Sequence, residues 1–215
     1  MSVPHRYIVV EGPIGVGKTS LARKLATTFD CELLLENAGE NPFLANFYRN
    51  QRQYALSTQL FFLLQRARQL QDFRQNDLFQ QARVADYLID KDRLFAELTL
   101  EADELSLYRQ IYQQLAIDAP RPDLVIYLQA PVDTLRERII KRGIEYEQPI
   151  GDDFLSRLSE SYTRFFHDFE ASALLTVNTH SIDLINNPAD YQALLDEIDR
   201  IHSGRHYFNQ SSFPY

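Results

Sequence analysis

Cys31 is the only cysteine in 215 residues. One thiol cannot close an intramolecular disulfide, so nothing points to the oxidising compartments where disulfide-stapled domains work. No stretch approaches 18 consecutive apolar residues, which argues against a membrane-spanning helix. The opening Met-Ser-Val-Pro-His-Arg-Tyr has no apolar core of the secretory-leader kind, so a cytoplasmic protein without a membrane partner is expected. Basic residues are outnumbered, 22 against 30, for a formal net charge of −8. Tracking a nucleic-acid backbone needs a basic footprint, so a nucleic-acid polymer is not an expected partner. A small nucleotide is not excluded, because its site needs only a few local cations. Repeats, low-complexity tracts and linkers are also missing, and the chain is expected to form one domain over residues 1–215.

What is present is an alternation of short apolar runs with helical periodicities. Strands are expected at Arg6–Glu11, Glu32–Glu36, Arg83–Asp86, Leu124–Gln129 and Leu174–Val177; their continuous apolar character suits a buried parallel sheet. Helices are expected at Ser20–Phe29, Gln53–Phe73, Asp92–Glu97, Asp103–Ile117, Pro131 to Gly143, Asp152–Ala171 and Pro188–His202. In the long second helix the apolar Leu56, Leu60, Leu63, Leu64, Ala67 and Leu70 recur at helical spacing. Strands alternating with helices predict an α/β fold, a five-stranded parallel sheet with helices on both faces. The tail from Ser203 to Tyr215 carries no usable pattern.

Between the first strand and first helix lies Gly12-Pro13-Ile14-Gly15-Val16-Gly17-Lys18-Thr19, a full match to G-x-x-x-x-G-K-[ST]. Its glycines let backbone N–H groups converge on phosphate oxygens, and the helix that follows, with Ser20 in its first turn, points its positive dipole end at the same place. Lys18 suits the β- and γ-phosphates and the Thr19 hydroxyl suits Mg²⁺, so ATP or a close relative is expected with Mg²⁺. The motif does not name the reaction. A switch GTPase should add D-x-x-G and N-K-x-D; no aspartate precedes a glycine at that spacing, and Ile89-Asp90-Lys91-Asp92 lacks the asparagine.

A kinase acting on a small molecule also needs a carboxylate to take the acceptor proton and cations around the moving phosphoryl. Glu36 ends the second strand at the carboxyl edge, where doubly wound sheets bind ligands; it could equally be a surface charge capping the strand. Gln59 and Arg66 lie seven residues apart on one helical face, a set suited to the edge of a base or to a solvated stripe. Arg138 and Arg142 stack at a helix end before Gly143-Ile144-Glu145-Tyr146-Glu147, either as a lid over phosphates, about residues 138–150, or as charges complementing the helix dipole.

Taken together, Glu11 through Thr19, Glu36, Asn41-Pro42-Phe43-Leu44, Thr58-Gln59-Leu60-Phe61-Phe62 with Arg66, and Lys141-Arg142-Gly143 resemble the deoxyribonucleoside kinases. The resemblance runs from about residue 6 to about 200. It looks closest to the bacterial deoxyadenosine/deoxyguanosine kinases, through Ala85-Asp86-Tyr87 and Ile111-Tyr112. It implies a P-loop kinase with a short lid that moves the ATP γ-phosphate to the 5′-hydroxyl of a purine deoxynucleoside. Glu36 would then be the general base, Gln59 and Arg66 would bond the base edge, and Phe95 would stack on the base. Tyr48 and Glu147 would hold the 3′-hydroxyl, Lys18, Arg138 and Arg142 would cover the phosphoryl group, and the protein would be a homodimer. Two departures stand out. Many members carry Glu-Arg-Ser where this chain has Ala85-Asp86-Tyr87, which leaves Asp86 as the carboxylate near Mg²⁺. The lid reads Arg142-Gly143-Ile144 rather than Arg-Gly-Arg. The competing readings are a nucleoside monophosphate kinase, a P-loop kinase for another metabolite, and a nucleotide-binding protein without turnover.

Overall fold

The computed structural model describes residues 5–76, 82–115 and 120–209. Its centre is a parallel sheet of β1 (Tyr7–Glu11), β2 (Glu32–Leu34), β3 (Arg83–Ala85), β4 (Leu124–Gln129), β5 (Ala173–Asn178) and β6 (Arg205–Phe208), in the spatial order β2-β3-β1-β4-β5-β6. Ile8, Val9 and Val10 of β1 and Leu124, Val125 and Ile126 of β4 are fully buried at successive positions. Successive strand side chains point to opposite faces, so both faces of the central sheet are covered.

The helices are α1 (Lys18–Phe29), α2 (Leu44–Arg49), α3 (Gln51–Asn76), α4 (Lys91–Thr99), α5 (Ala102–Gln114), α6 (Val132–Arg142), α7 (Asp152–His167) and α8 (Pro188–Arg200). α1 buries Leu21, Ala22, Leu25, Ala26 and Phe29, the one-sided spacing of a helix laid on a sheet. At about 1.5–3 kcal/mol for each large apolar side chain buried, that stripe holds the helix to the strands. α6 stops where Gly143 turns left-handed (φ 69°) and its N–H reaches back to the carbonyls of Ile139 and Ile140. α8 starts with Pro188 in its first turn, and the Asn187 side chain accepts from the Ala189 N–H at 3.0 Å.

Four expectations change. The sheet has six strands, not five. Arg205–Phe208 lies at the edge, where alternate residues stay exposed and no apolar run forms, and Arg205 donates to the carbonyls of Phe166, His167 and Phe169. The second strand is a half-exposed edge strand that ends at Leu34, so Glu36 lies two residues past it. α3 is not a simple amphipathic helix: Leu64 is exposed whereas Thr58, Gln59 and Arg66 are buried. The side chain of Leu70 and the expected end of the Asp103–Ile117 helix lie outside the described residues, and a short α2 stands where none was expected.

The chain passes from β1 out to β2, back to β3, and then to β4 on the other side of β1. That reversal places a topological switch point at β1, and ligands of open α/β sheets bind at the carboxyl ends beside such a point. Leu34, Ala85 and Val9 are in register across the first three strands. Glu36, Asp86 and Glu11 follow them by two, one and two residues, so three carboxylates converge at the same end.

Candidate active site

The phosphate loop depends on two close approaches. Gly12 (φ 148°) sits against β4, where an added Cβ would lie 2.4 Å from the Leu128 carbonyl oxygen. Gly15 (φ 85°) sits against α6, where a Cβ would lie 2.7 Å from the Leu135 carbonyl oxygen. Lys18 bends back over the loop and donates to the carbonyls of Gly12 at 2.7 Å and Pro13 at 3.1 Å. Burial pushes its ammonium down to about 8, opposed chiefly by Glu11.

Two cavities open on this loop. The larger, ≈ 770 Å³, runs from Gly17, Lys18, Thr19 and Ser20 towards the 179–190 segment. The smaller, ≈ 130 Å³, contains Glu36, Tyr48, Gln59, Arg66, Asp86 and Phe95, with Glu147 at its lid side. Gly15, Lys18, Thr19 and Arg142 line both. The donor loop and the expected acceptor residues therefore share a boundary made of a lysine, a hydroxyl and an arginine.

On the acceptor side the carboxylates are held differently. Asp86 accepts from the Thr19 hydroxyl at 2.5 Å and from the Glu36 backbone N–H at 2.7 Å. Glu36 is ion-paired with Arg66 and, at 2.8 Å, with Lys91. Arg66 also pairs with Asp92, and burial lowers its pKa. Its guanidinium lies 5.2 Å from the Phe62 ring centroid and 5.8 Å from that of Tyr87, inside the range for cation–π attraction. Gln59 shares the cavity with Arg66 and bonds Thr99 at 3.4 Å, so the solvated-stripe reading fails for this face. Phe95 stands edge-on to Tyr162, with centroids 6.2 Å apart.

The segment expected as a lid packs against α2. Arg142 pairs with Glu147, whose carboxyl is raised by burial and lowered by that arginine. Tyr146 stacks on Tyr48, with centroids 6.5 Å apart and planes 3° from parallel. Arg138 lines the larger cavity together with Arg142. Its guanidinium donates to the Thr179 carbonyl at 2.7 Å, the Thr179 hydroxyl at 2.9 Å and the Val16 carbonyl at 3.1 Å, on the wall of the larger cavity.

A divalent ion bound with a nucleotide takes one or two protein oxygens and fills the rest of its shell with phosphates and water. The Thr19 hydroxyl beside the Asp86 carboxylate fits that sparse donor set. Among the described residues no group of three or more histidine, cysteine or acidic side chains forms a cage for a metal.

Three residues at the heart of the site had no role assigned from the sequence, although Glu11 opens the run that carries the resemblance. Glu11, wholly buried at the end of β1, accepts from Gly12 N at 2.8 Å, Leu88 N at 2.7 Å and the Tyr162 hydroxyl at 2.9 Å. Lys91 and Asp92 open α4 and pair with Glu36 and Arg66. The one available signal was a charged residue closing an otherwise apolar strand, Tyr7-Ile8-Val9-Val10-Glu11. The partners of Lys91 and Asp92 lie 26 or more residues away, beyond the reach of local pattern.

A switch-point phosphate loop beside a small acceptor cleft defines a P-loop phosphotransferase that handles a small acceptor. Residues 8–203 match the model of the family described as deoxynucleoside kinase. The chain belongs to the deoxynucleoside kinase family. It is 34% identical over 200 residues to the deoxyguanosine kinase of Bacillus subtilis, covering 91% of this chain and 97% of that one. It is 29% identical to the deoxyadenosine kinase of Lactobacillus acidophilus, covering 90% and 95%. A solved structure of deoxyadenosine kinase from M. mycoides with bound dCTP superposes with a TM-score of 0.76 over 91% of this chain and all of that chain, at 21% identity, a likeness of fold. No described helix is long and apolar enough to cross a membrane.

Proposed function

We propose that the protein transfers the γ-phosphoryl group of ATP to the 5′-hydroxyl of a purine deoxynucleoside, deoxyadenosine or deoxyguanosine. The observation that carries this reading is the meeting of the two cavities on Lys18, Thr19 and Arg142, with Glu36 on the acceptor side. The names of the relatives support purine, and family membership favours a nucleoside over a nucleoside monophosphate acceptor.

In this reading Glu36 accepts the 5′-hydroxyl proton, the new bond forms from O5′ to the γ-phosphorus, the bond to the β–γ bridging oxygen breaks, and ADP leaves. Glu36 suits the task because its side chain is 16% exposed, against 3% for Asp86 and 0% for Glu11 and Asp92 as residues. Lys18 and the loop N–H groups hold the donor phosphates, and Arg142 closes with the lid. Mg²⁺, held by Thr19 and Asp86, would neutralise phosphate charge. Arg138 acts from the donor-cavity wall by fixing Thr179 to Val16. Gln59 and Arg66 read the base edge, Phe95 packs on its face, and Tyr48 with Glu147 holds the 3′-hydroxyl. We read residues 1–215 as one domain, and the protein as a cytoplasmic homodimer; the exposed Leu64 and Leu107 on α3 and α5 are candidates for its interface.

Incubation with labelled ATP and each of the four deoxynucleosides, and with their monophosphates, tests the reading. Labelled dAMP or dGMP is expected; phosphorylation of monophosphates alone, or ATP binding without ADP release, would overturn it. Arg66→Lys keeps a charge beside Asp92 but removes the planar fork that matches a base edge. An unpaired polar edge costs about 1–3 kcal/mol, so the preference between purine and pyrimidine nucleosides is expected to fall about tenfold, with ATP affinity little changed. Unaltered base preference would remove Arg66 from recognition.

A further inference from the structure

We propose that Lys91 is a positioning residue for this transfer: its ammonium, held between Glu11 and Glu36, fixes the acceptor carboxylate against the floor of the phosphate loop. The inference rests on the role proposed for Glu36. Lys91 Nζ lies 2.8 Å from Glu36 Oε2 and 3.9 Å from Glu11 Oε2. The same Glu11 holds the Gly12 N–H on one side and the Leu88 N–H on the other, and the Lys91 N–H returns to the Leu88 carbonyl at 3.2 Å. A continuous path thus runs from the first glycine of the loop through Glu11 and Lys91 to Glu36.

Fold stability does not account for a cation here. Lys91 is 3% exposed and is the first residue of α4, where the positive end of the helix dipole disfavours a cation. Burial pushes its ammonium down to about 8, and neighbouring Arg66 pushes the same way against the pull of Glu11. A buried ion pair can often be replaced by apolar side chains with no loss of stability. A lysine kept against burial, dipole and a like charge is explained by its carboxylate partners. Arg66 grips Glu36 from α3 but must also face the base; Lys91, on the wall of the same cavity, gives Glu36 a second anchor from α4. The two cations also keep Glu36 and Glu11 from repelling a nearby anionic phosphoryl group.

The test uses the full chain with ATP and deoxyguanosine or deoxyadenosine, comparing Lys91→Gln and Lys91→Arg with the unsubstituted protein. Loss of about an ångström in placement costs on the order of 10²-fold. Lys91→Gln is therefore expected to lose about that factor in kcat, with the nucleoside KM moving less than about threefold. Lys91→Arg, which restores the charge, is expected to recover at least about tenfold of the loss. Retention of kcat in Lys91→Gln overturns the inference and leaves the proposed function standing. So does an equal loss in both variants with a parallel fall in melting temperature, and so does failure of Lys91→Gln to melt cooperatively; each assigns the lysine to the fold. An unsubstituted chain that phosphorylates no deoxynucleoside overturns the proposed function and this inference with it.

Discussion

Glu36→Gln is expected to lower kcat by about 10²–10⁴-fold, the usual cost of deleting a positioned proton acceptor, while the affinity for deoxynucleoside stays within a small factor. Glutamine keeps the size of the side chain, and its amide oxygen can still accept from Lys91. Its NH₂ group, however, faces Arg66, which has only donors to offer, so one of the two contacts recorded for Glu36 is lost. Arg66 remains paired with Asp92, so the fold has no large uncompensated charge and the melting temperature should change little. No other carboxylate can substitute. Asp86 is tied at both oxygens, to Thr19 and to the Glu36 backbone, and Glu11 and Asp92 are wholly buried. Single-turnover rates with saturating ATP, set beside equilibrium binding of deoxyguanosine, separate the chemical step from affinity. Near-normal turnover in Glu36→Gln would remove Glu36 from proton transfer.

The same region shows where sequence reading reached and where it stopped. The phosphate loop was legible because its chemistry is contiguous: eight consecutive residues carry the turn, the lysine and the hydroxyl. β1 and β4 were legible because strands buried on both faces leave an unbroken apolar run. β6 was not, because Arg205-His206-Tyr207-Phe208 is an edge strand with only alternate residues covered, and arginine side-chain bonds to α7 and the segment after it hold it in place. Gln59 and Arg66 were correctly put on one face, since helical spacing fixes that. Whether the face is wet or buried is decided by what packs opposite, and there the structure supplies Lys91, Asp92 and Phe95 from α4. Arg138 shows the converse limit. Its place on α6 follows from periodicity, but its guanidinium turns to Thr179, a partner 41 residues on that only the β4–β5 pairing brings near.

A loop that contiguous also concentrates risk in single atoms, and Gly12→Ala is expected to be the most damaging one-carbon change in the protein. The new Cβ would lie 2.4 Å from the Leu128 carbonyl oxygen and 3.1 Å from Val16 Cγ1. The first obstacle is backbone of β4 at the buried Leu128, not the end of a flexible side chain. Residue 12 also sits at φ 148°, where side-chain-bearing residues are strained. Strain of this kind costs about 1–3 kcal/mol and overpacking a similar amount, for about 2–6 kcal/mol together. In a chain of this size each kcal/mol moves the melting temperature by about 2–4 °C, so a fall of roughly 4–24 °C is expected. Any shift that relieves the clash moves the Gly12 N–H off Glu11 and the Gly12 carbonyl off Lys18, so ATP affinity should fall with stability. Gly39→Ala is the matched control. Its Cβ would meet only the Tyr146 hydroxyl at 4.0 Å, and its effect on stability should stay within about 0.5 kcal/mol. Scanning calorimetry and nucleotide titration of both variants measure the contrast. Wild-type melting and ATP affinity in Gly12→Ala would mean that β4 yields at Leu128, and that the loop does not owe its geometry to this contact.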